Sequence, residues 1–306
     1  MSSPNQSSRP QNDNPYDIAT GEFDKGVTSG RKLFGKVMTG LVMLCVAIAL
    51  LPLASILFML LKNGLSRLLQ DFPSVFTELP PPPLVDGGGF RNAIMGTLLT
   101  CLIGALISVP VGVLTAIYTV EFGQGNRLSQ FVRFCTNVLS GVPSIIAGLF
   151  AYGVVVVLMG TFSAIAGGVA LSVLMAPIII RTAEEGLKSI PREVRQGLVG
   201  IGATNFQGVT NVILPAALPF IATGVTLALA RAAGETAPLL FTALFNQFDA
   251  RSLREPIATL SVLIYNYAIA PYKNQNELAW AAALIVVLLI LTVSILARSL
   301  TSRKVY

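Results

Sequence analysis

Arg231 and Glu235 carry the most conspicuous chemistry in this chain, because they lie in the apolar stretch 229–245, Leu-Ala-Arg-Ala-Ala-Gly-Glu-Thr-Ala-Pro-Leu-Leu-Phe-Thr-Ala-Leu-Phe. A charged side chain at bilayer depth costs roughly 2.5–3.5 kcal/mol on insertion scales. Four residues apart, the two share a helix face and can pair. Thr236 and Pro238 follow, and proline disfavours a continued helix at this level. Opposite charges, a glycine between them and a helix break point to a polar path through a membrane. A structural ion pair docking the helix on its neighbours is the alternative. Arginine offers a planar fork of donors that stays charged and matches an oxyanion. Glu235 then holds Arg231 between passages and yields to an arriving anion, with Thr236 on the same path. Arg181, fifty residues earlier, reads either as an anion contact at the inner mouth or as an anchor snorkelling to the interface. Ser140 and Ser144, flanking Pro143, are weaker path candidates, and helix packing is their alternative.

Other chemistries are thinly represented. Histidine is absent, which removes the commonest general base and metal ligand. Cys45, Cys101 and Cys135 sit in or beside separate apolar segments without metal-ligand spacing, so neither a disulfide framework nor a metal site is expected. No GxxxxGK[ST] loop occurs, so the chain is not expected to bind ATP in that manner. A membrane enzyme built on Arg231 and Glu235 lacks an activated nucleophile. The net charge of +6 gathers beside apolar runs rather than on an aromatic-interleaved face, which argues against nucleic acid.

The elements that must position these residues are membrane helices. Of 306 residues, 53% are hydrophobic and 12% charged, against about 25% charged in soluble domains. Spans of about 20 apolar residues are expected at 33–61, 92–120, 131–159, 162–180, 214–237 and 278–296. The fold class is therefore all-α and polytopic, with about six transmembrane helices. Residues 1–30 are polar and read as a disordered cytoplasmic arm, and residues 31–306 as the membrane domain. With the amino end inside, fourteen of the 21 basic residues fall on inner segments and six on outer ones. That asymmetry places both termini in the cytoplasm. The outer segment after span five contains an apolar run, 257–269, that either dips back into the membrane or packs as an external helix.

The connection between spans four and five, about 181–213, is the longest inner segment. Pro191 suits a helix start. Arg192, Glu193 and Arg195 then form a polar side, and Val194, Leu198, Val199 and Ile201 an apolar one. Gly202 ends that helix, a second short one follows over 203–211, and Leu214-Pro215 opens span five. Such an amphipathic elbow suits insertion into a groove on a partner.

This elbow resembles the EAA loop of bacterial ABC-importer permeases, in which Glu-Ala-Ala is followed by a glycine and Ile-x-Leu-Pro. Aligning on Leu214-Pro215 sets Gly202 on the family glycine and Val212 on the isoleucine. Gln196, Gly197 and Leu198 stand where Glu-Ala-Ala is expected, a departure that removes the family glutamate. The stretch Arg231-Ala-Ala-Gly-Glu-Thr-Ala-Pro, with Gly141-Val-Pro-Ser-Ile-Ile-Ala-Gly and Ile178-Ile-Ile-Arg-Thr-Ala-Glu-Glu, is similar to the PstA family of phosphate-specific importer permeases. The resemblance covers roughly residues 91–299. It implies a type I importer permease fold, phosphate as cargo and a bacterial inner-membrane location. It also implies a second homologous permease (PstC-like), an ATPase dimer (PstB-like) holding ATP and Mg, and an external phosphate-binding protein (PstS-like). The chain itself is expected to bind no cofactor. Pro191, Glu193, Arg195, Gln196, Gly197, Gly202, Ala203, Leu214 and Pro215 are the implied ATPase-coupling set. Sulfate, molybdate or phosphonate as cargo, or phosphate sensing without transport, remain the alternatives.

Overall fold

A computed structural model describes residues 29–302. Most of the expected N-terminal arm, residues 1–28, lies outside the described residues, and Ser29 already begins a helix. The chain divides into two compact units, Met1–Leu57 and Phe58–Tyr306. The described part of the first is one continuous stretch of α1 (Ser29–Gln70), whose apolar side chains are exposed.

In the second unit, α1 ends against the final helix. Leu60 and Leu68 are buried with Leu278, Ala281 and Leu284. A short α2 (Ser74–Thr77) and an irregular segment through the prolines and glycines of 80–89 lead to α3 (Arg91–Ile117), which continues as a π turn, Tyr118–Phe122. After α4 (Arg127–Gly141) come α5 (Ser144–Ala151), a π turn Tyr152–Val156 and the single turn α6 (Val157–Met159). Next are α7 (Ala164–Lys188), α8 (Arg192–Gly200) and α9 (Asn205–Gly208), then a π turn Val209–Ile213 that runs directly into α10 (Leu214–Gly234). The short α11 (Ala237–Leu240), then α12 (Leu260–Ala268) and α13 (Lys273–Ser302), complete the order. Among the described residues there is no strand.

Five helices are long and apolar enough to cross a membrane, and a sixth span results if α4 and the segment Ser144–Met159 count as one broken pair. That pair stands where one span, 131–159, is expected, and its two halves are bent by 109°. Pro143 has no N–H to donate and pushes the residue before it out of the α region. Val142 is accordingly extended, at φ −71° and ψ 128°. Helix α7, at the place of the fourth expected span, runs to Lys188, well beyond the expected 180, so the inner connection is shorter than its sequence suggests. The expected second helix of the elbow is not separate either. It begins at Asn205 and joins α10 through the π turn, where the wider register accommodates the missing N–H of Pro215.

Small residues set the helix crossings. Positions 100, 104 and 112 of α3 meet 168, 171 and 179 of α7 in ascending order, so these two helices run the same way. Gly224 and Phe220 of α10 meet Thr182 and Gly186 of α7 in descending order, so α10 runs antiparallel. Glycine lets such backbones approach closely. The apolar run after span five forms α12, packed inside the body against α3 and α13 with Leu260, Val262 and Leu263 buried. Thr97 of α3 accepts the Leu260 N–H at 2.8 Å and so ties the start of α12.

Candidate functional site

Helices α4, α7 and α10 enclose a cleft of about 270 Å³ that brings Arg181 and Arg231 together. Its walls include Leu139, Ser140 and Val142 from the α4 end, Pro177, Thr182 and Glu185 from α7, and Leu227 from α10. A second cleft of about 300 Å³ is lined by Arg133, Thr136 and Asn137 of α4 with Arg181, Glu184, Glu185 and Lys188 of α7. Arg181 and Glu185 belong to both, so one guanidinium stands at their common wall. Arg181 sits nearly two turns before the end of α7, not at its last residue as the expected boundary implied.

Arg231 lies in the last turn of α10 with its side chain 57% exposed, and its Nε donates to Glu235 Oε1 at 3.2 Å. The pairing expected of these two residues is present, but Glu235 stands beyond the helix. It caps α10 in an extended conformation, φ −73° and ψ 127°. Its carbonyl accepts from Ser261 Oγ at 2.8 Å, which fixes the break to α12. The carboxylate therefore reaches back to Arg231 from a tethered backbone. Thr236 follows as the cap of α11, and Ser144 begins α5; neither lines the two clefts. Ser140 does line the first cleft, its hydroxyl donating to Thr136 O at 2.9 Å.

The second cleft is centred on Glu184 of α7. The Glu184 side chain is only 12% exposed. It accepts from Thr119 Oγ1 at 2.6 Å and from Lys188 Nζ at 2.9 Å, with Arg133 Nε 3.5 Å away. Arg133 also donates to Thr119 O at 2.9 Å. The Glu184–Lys188 spacing was a readable signal. Nothing local announced Thr119 or Arg133, which come from other helices.

At the same end of the bundle, α8 is amphipathic and follows Pro191 as expected. Gly202 has φ +76°, a conformation that glycine adopts without the Cβ penalty. Thr204 and Gln207 close a capping box that starts the next helix. Glu193, Gln196 and Gly197 are exposed, Ala203 and Leu214 are half-buried, and Pro215 is exposed. Val199 and Ile201 are 69% and 80% exposed, leaving an apolar surface uncovered. Of the expected coupling set, Leu214 packs against a buried cluster and Arg195 turns inward, where it donates to Glu121 Oε1, Leu187 O and Ile190 O.

Apolar helices around a cationic cleft, with an exposed amphipathic helix at one end, define a membrane permease of the binding-protein-dependent kind. The family described as binding-protein-dependent transport system inner membrane component matches residues 108–306. The phosphate transport system permease protein PstA of Haemophilus influenzae is 41% identical over 90% of this chain and 96% of its own length. Its namesake in Yersinia pestis is 42% identical over 76% and 78%. A chain in the structure of a bacterial alginate ABC transporter shares the fold, with a TM-score of 0.59 at 17% identity over 89% of this chain and 94% of that one. The chain belongs to the PstA family of phosphate transport permeases, multi-pass membrane subunits of phosphate importers.

Proposed function

We propose that phosphate crosses the bilayer past Arg231 and then Arg181, moving along the cleft between α4, α7 and α10. The observation that carries this reading is the convergence of two arginines from antiparallel helices on one cleft. Glu235 is the resting partner of Arg231 and is displaced as the dianion arrives, so the cation is never left bare. Arg181 receives the anion at the wall between the two clefts.

The remaining machinery follows from what this chain leaves uncovered. A second, homologous permease closes the open side on which Arg231 is exposed. An ATPase dimer carrying ATP and Mg seats on α8 through Val199, Ile201 and their polar neighbours Glu193 and Gln196. An external binding protein delivers phosphate at the opposite end. Both termini are cytoplasmic, as the distribution of basic residues supports. The site is expected in the bacterial inner membrane.

Reconstitution of the complete importer in vesicles, with labelled phosphate and ATP, tests the path. A hydrogen bond to a charged group contributes about 1.5–3 kcal/mol, or about ten- to a hundredfold in rate. Arg231→Gln and Arg181→Gln are each expected to lower uptake by that factor, and together to abolish it, at unchanged membrane insertion. Unlabelled sulfate is expected not to compete. Normal uptake by the double variant would falsify the path, and reduced insertion of Arg181→Gln would make that residue an anchor.

A further inference from the structure

The π turn Tyr118–Phe122 at the end of α3 is tied to three other helices. Glu121, its side chain 8% exposed, meets the Arg195 guanidinium of α8 at 2.8 Å and 3.4 Å. The same guanidinium donates to Leu187 O, in the last turn of α7, at 2.8 Å and to Ile190 O, in the link to α8, at 2.6 Å. Two residues before Glu121, the fully buried Thr119 gives its hydroxyl to Glu184 of α7 and receives Arg133 of α4 at its carbonyl. Leu198, one turn beyond Arg195, packs into the buried cluster that includes Val120, Leu187, Val209 and Ile213. Helix α8 is thus held by Arg195 and Leu198 on one side, while Val199 and Ile201 stay exposed.

This arrangement joins two places that have to communicate. Arginine's fork is rigid and pre-organised, so four hydrogen bonds from one guanidinium leave α8 little freedom relative to α7. A π turn, by contrast, is a local irregularity that recurs at functional positions. Coupling between distant sites requires a physical element whose arrangement both sites bias. We propose that the Tyr118–Phe122 turn is the mechanical link between α8 and the anion clefts. Displacement of α8 pulls Glu121 through Arg195, and Thr119, in the same turn, carries the movement to Arg133 and Glu184 on the walls of the second cleft. Arg195, Glu121 and Thr119 are then positioning residues that touch neither phosphate nor nucleotide. The proposal rests on reading α8 as the helix that meets the ATPase.

Glu121→Gln and Thr119→Val, each in the complete reconstituted importer, test the link. The first removes the charge from the clasp, and the second deletes only the hydroxyl that reaches Glu184. Both are expected to lower phosphate uptake at least tenfold while ATP hydrolysis continues, so that phosphate moved per ATP collapses. Arg195→Lys, which keeps the charge and loses the fork, is expected to fall between them and the unaltered importer. A photoreactive phenylalanine analogue in place of Val199 monitors docking, and it is expected to capture the ATPase with or without Glu121→Gln. Unchanged phosphate per ATP in both variants, with capture intact, overturns the link. Failure of capture in the otherwise unaltered importer removes the docking reading itself, and the proposal with it. Loss of capture only in Glu121→Gln makes the clasp a structural support and also overturns the proposal.

Discussion

At the scale of single residues, the pair Arg231–Glu235 was legible because its signal is local. Two opposite charges four apart in an apolar run are costly unless paired, and the 3.2 Å contact supplies the pairing. What could not be read was that Glu235 has left the helix, since Ser261, which secures its carbonyl, comes from a later segment. The convergence of Arg181 with Arg231 was equally hidden, because spacing within one helix says nothing about an antiparallel neighbour. Arg195 shows the same limit: helical periodicity placed it on a polar side, but only the fold offers it Glu121 and two carbonyls. If Glu235 competes with phosphate for Arg231, Glu235→Gln should hold the anion longer and release it more slowly. Maximal uptake should fall several-fold, and phosphate should shield Arg231 from phenylglyoxal at lower concentration than in the unaltered importer. Weaker shielding would assign Glu235 a purely structural part.

Elements were legible where apolar length decides, as in α3, α7, α10 and α13. They were misread where a polar stretch adjoins an apolar one. Residues 127–141 form an amphipathic helix in its own right, and Pro143 separates it from the apolar segment that follows. The boundary near 180 failed for a related reason: Arg181, Glu184 and Lys188 look like a loop by hydropathy, yet α7 continues through all three, with Glu184 and Lys188 paired four residues apart. The crossing of α7 and α10 rests on two glycines, Gly186 against Phe220 and Gly224 against Thr182. A Cβ on Gly224 would overlap the Thr182 side chain. Overpacking of this sort costs about 1–3 kcal/mol. Gly224→Ala should therefore lower the melting temperature of the purified complex and reduce uptake by displacing the neighbouring Arg181. Gly153→Ala, where a Cβ meets open space, should change neither, and equal behaviour of the two variants would refute this account of the crossing.

For the molecule as a whole, the chain is a membrane permease subunit. Its cleft gathers Arg181 and Arg231, and its amphipathic α8 leaves Val199 and Ile201 exposed. The membrane class was legible from composition, and the family from three short stretches, because both are written in residue types rather than in contacts. The elbow at Val142-Pro143 has a further consequence, in the elasticity of the surrounding bilayer. The segment Ser144–Met159 is roughly 24 Å long at 1.5 Å per residue, short of the ~30 Å of a typical hydrocarbon core. Ile145, Ile146, Phe150, Val157 and Leu158 along it are exposed, and wherever lipid meets this face its acyl chains compress to match the segment. Uptake in vesicles should peak with lipids a few carbons shorter than those that suit the other helices, and a rate indifferent to chain length would show that the strain is relieved elsewhere.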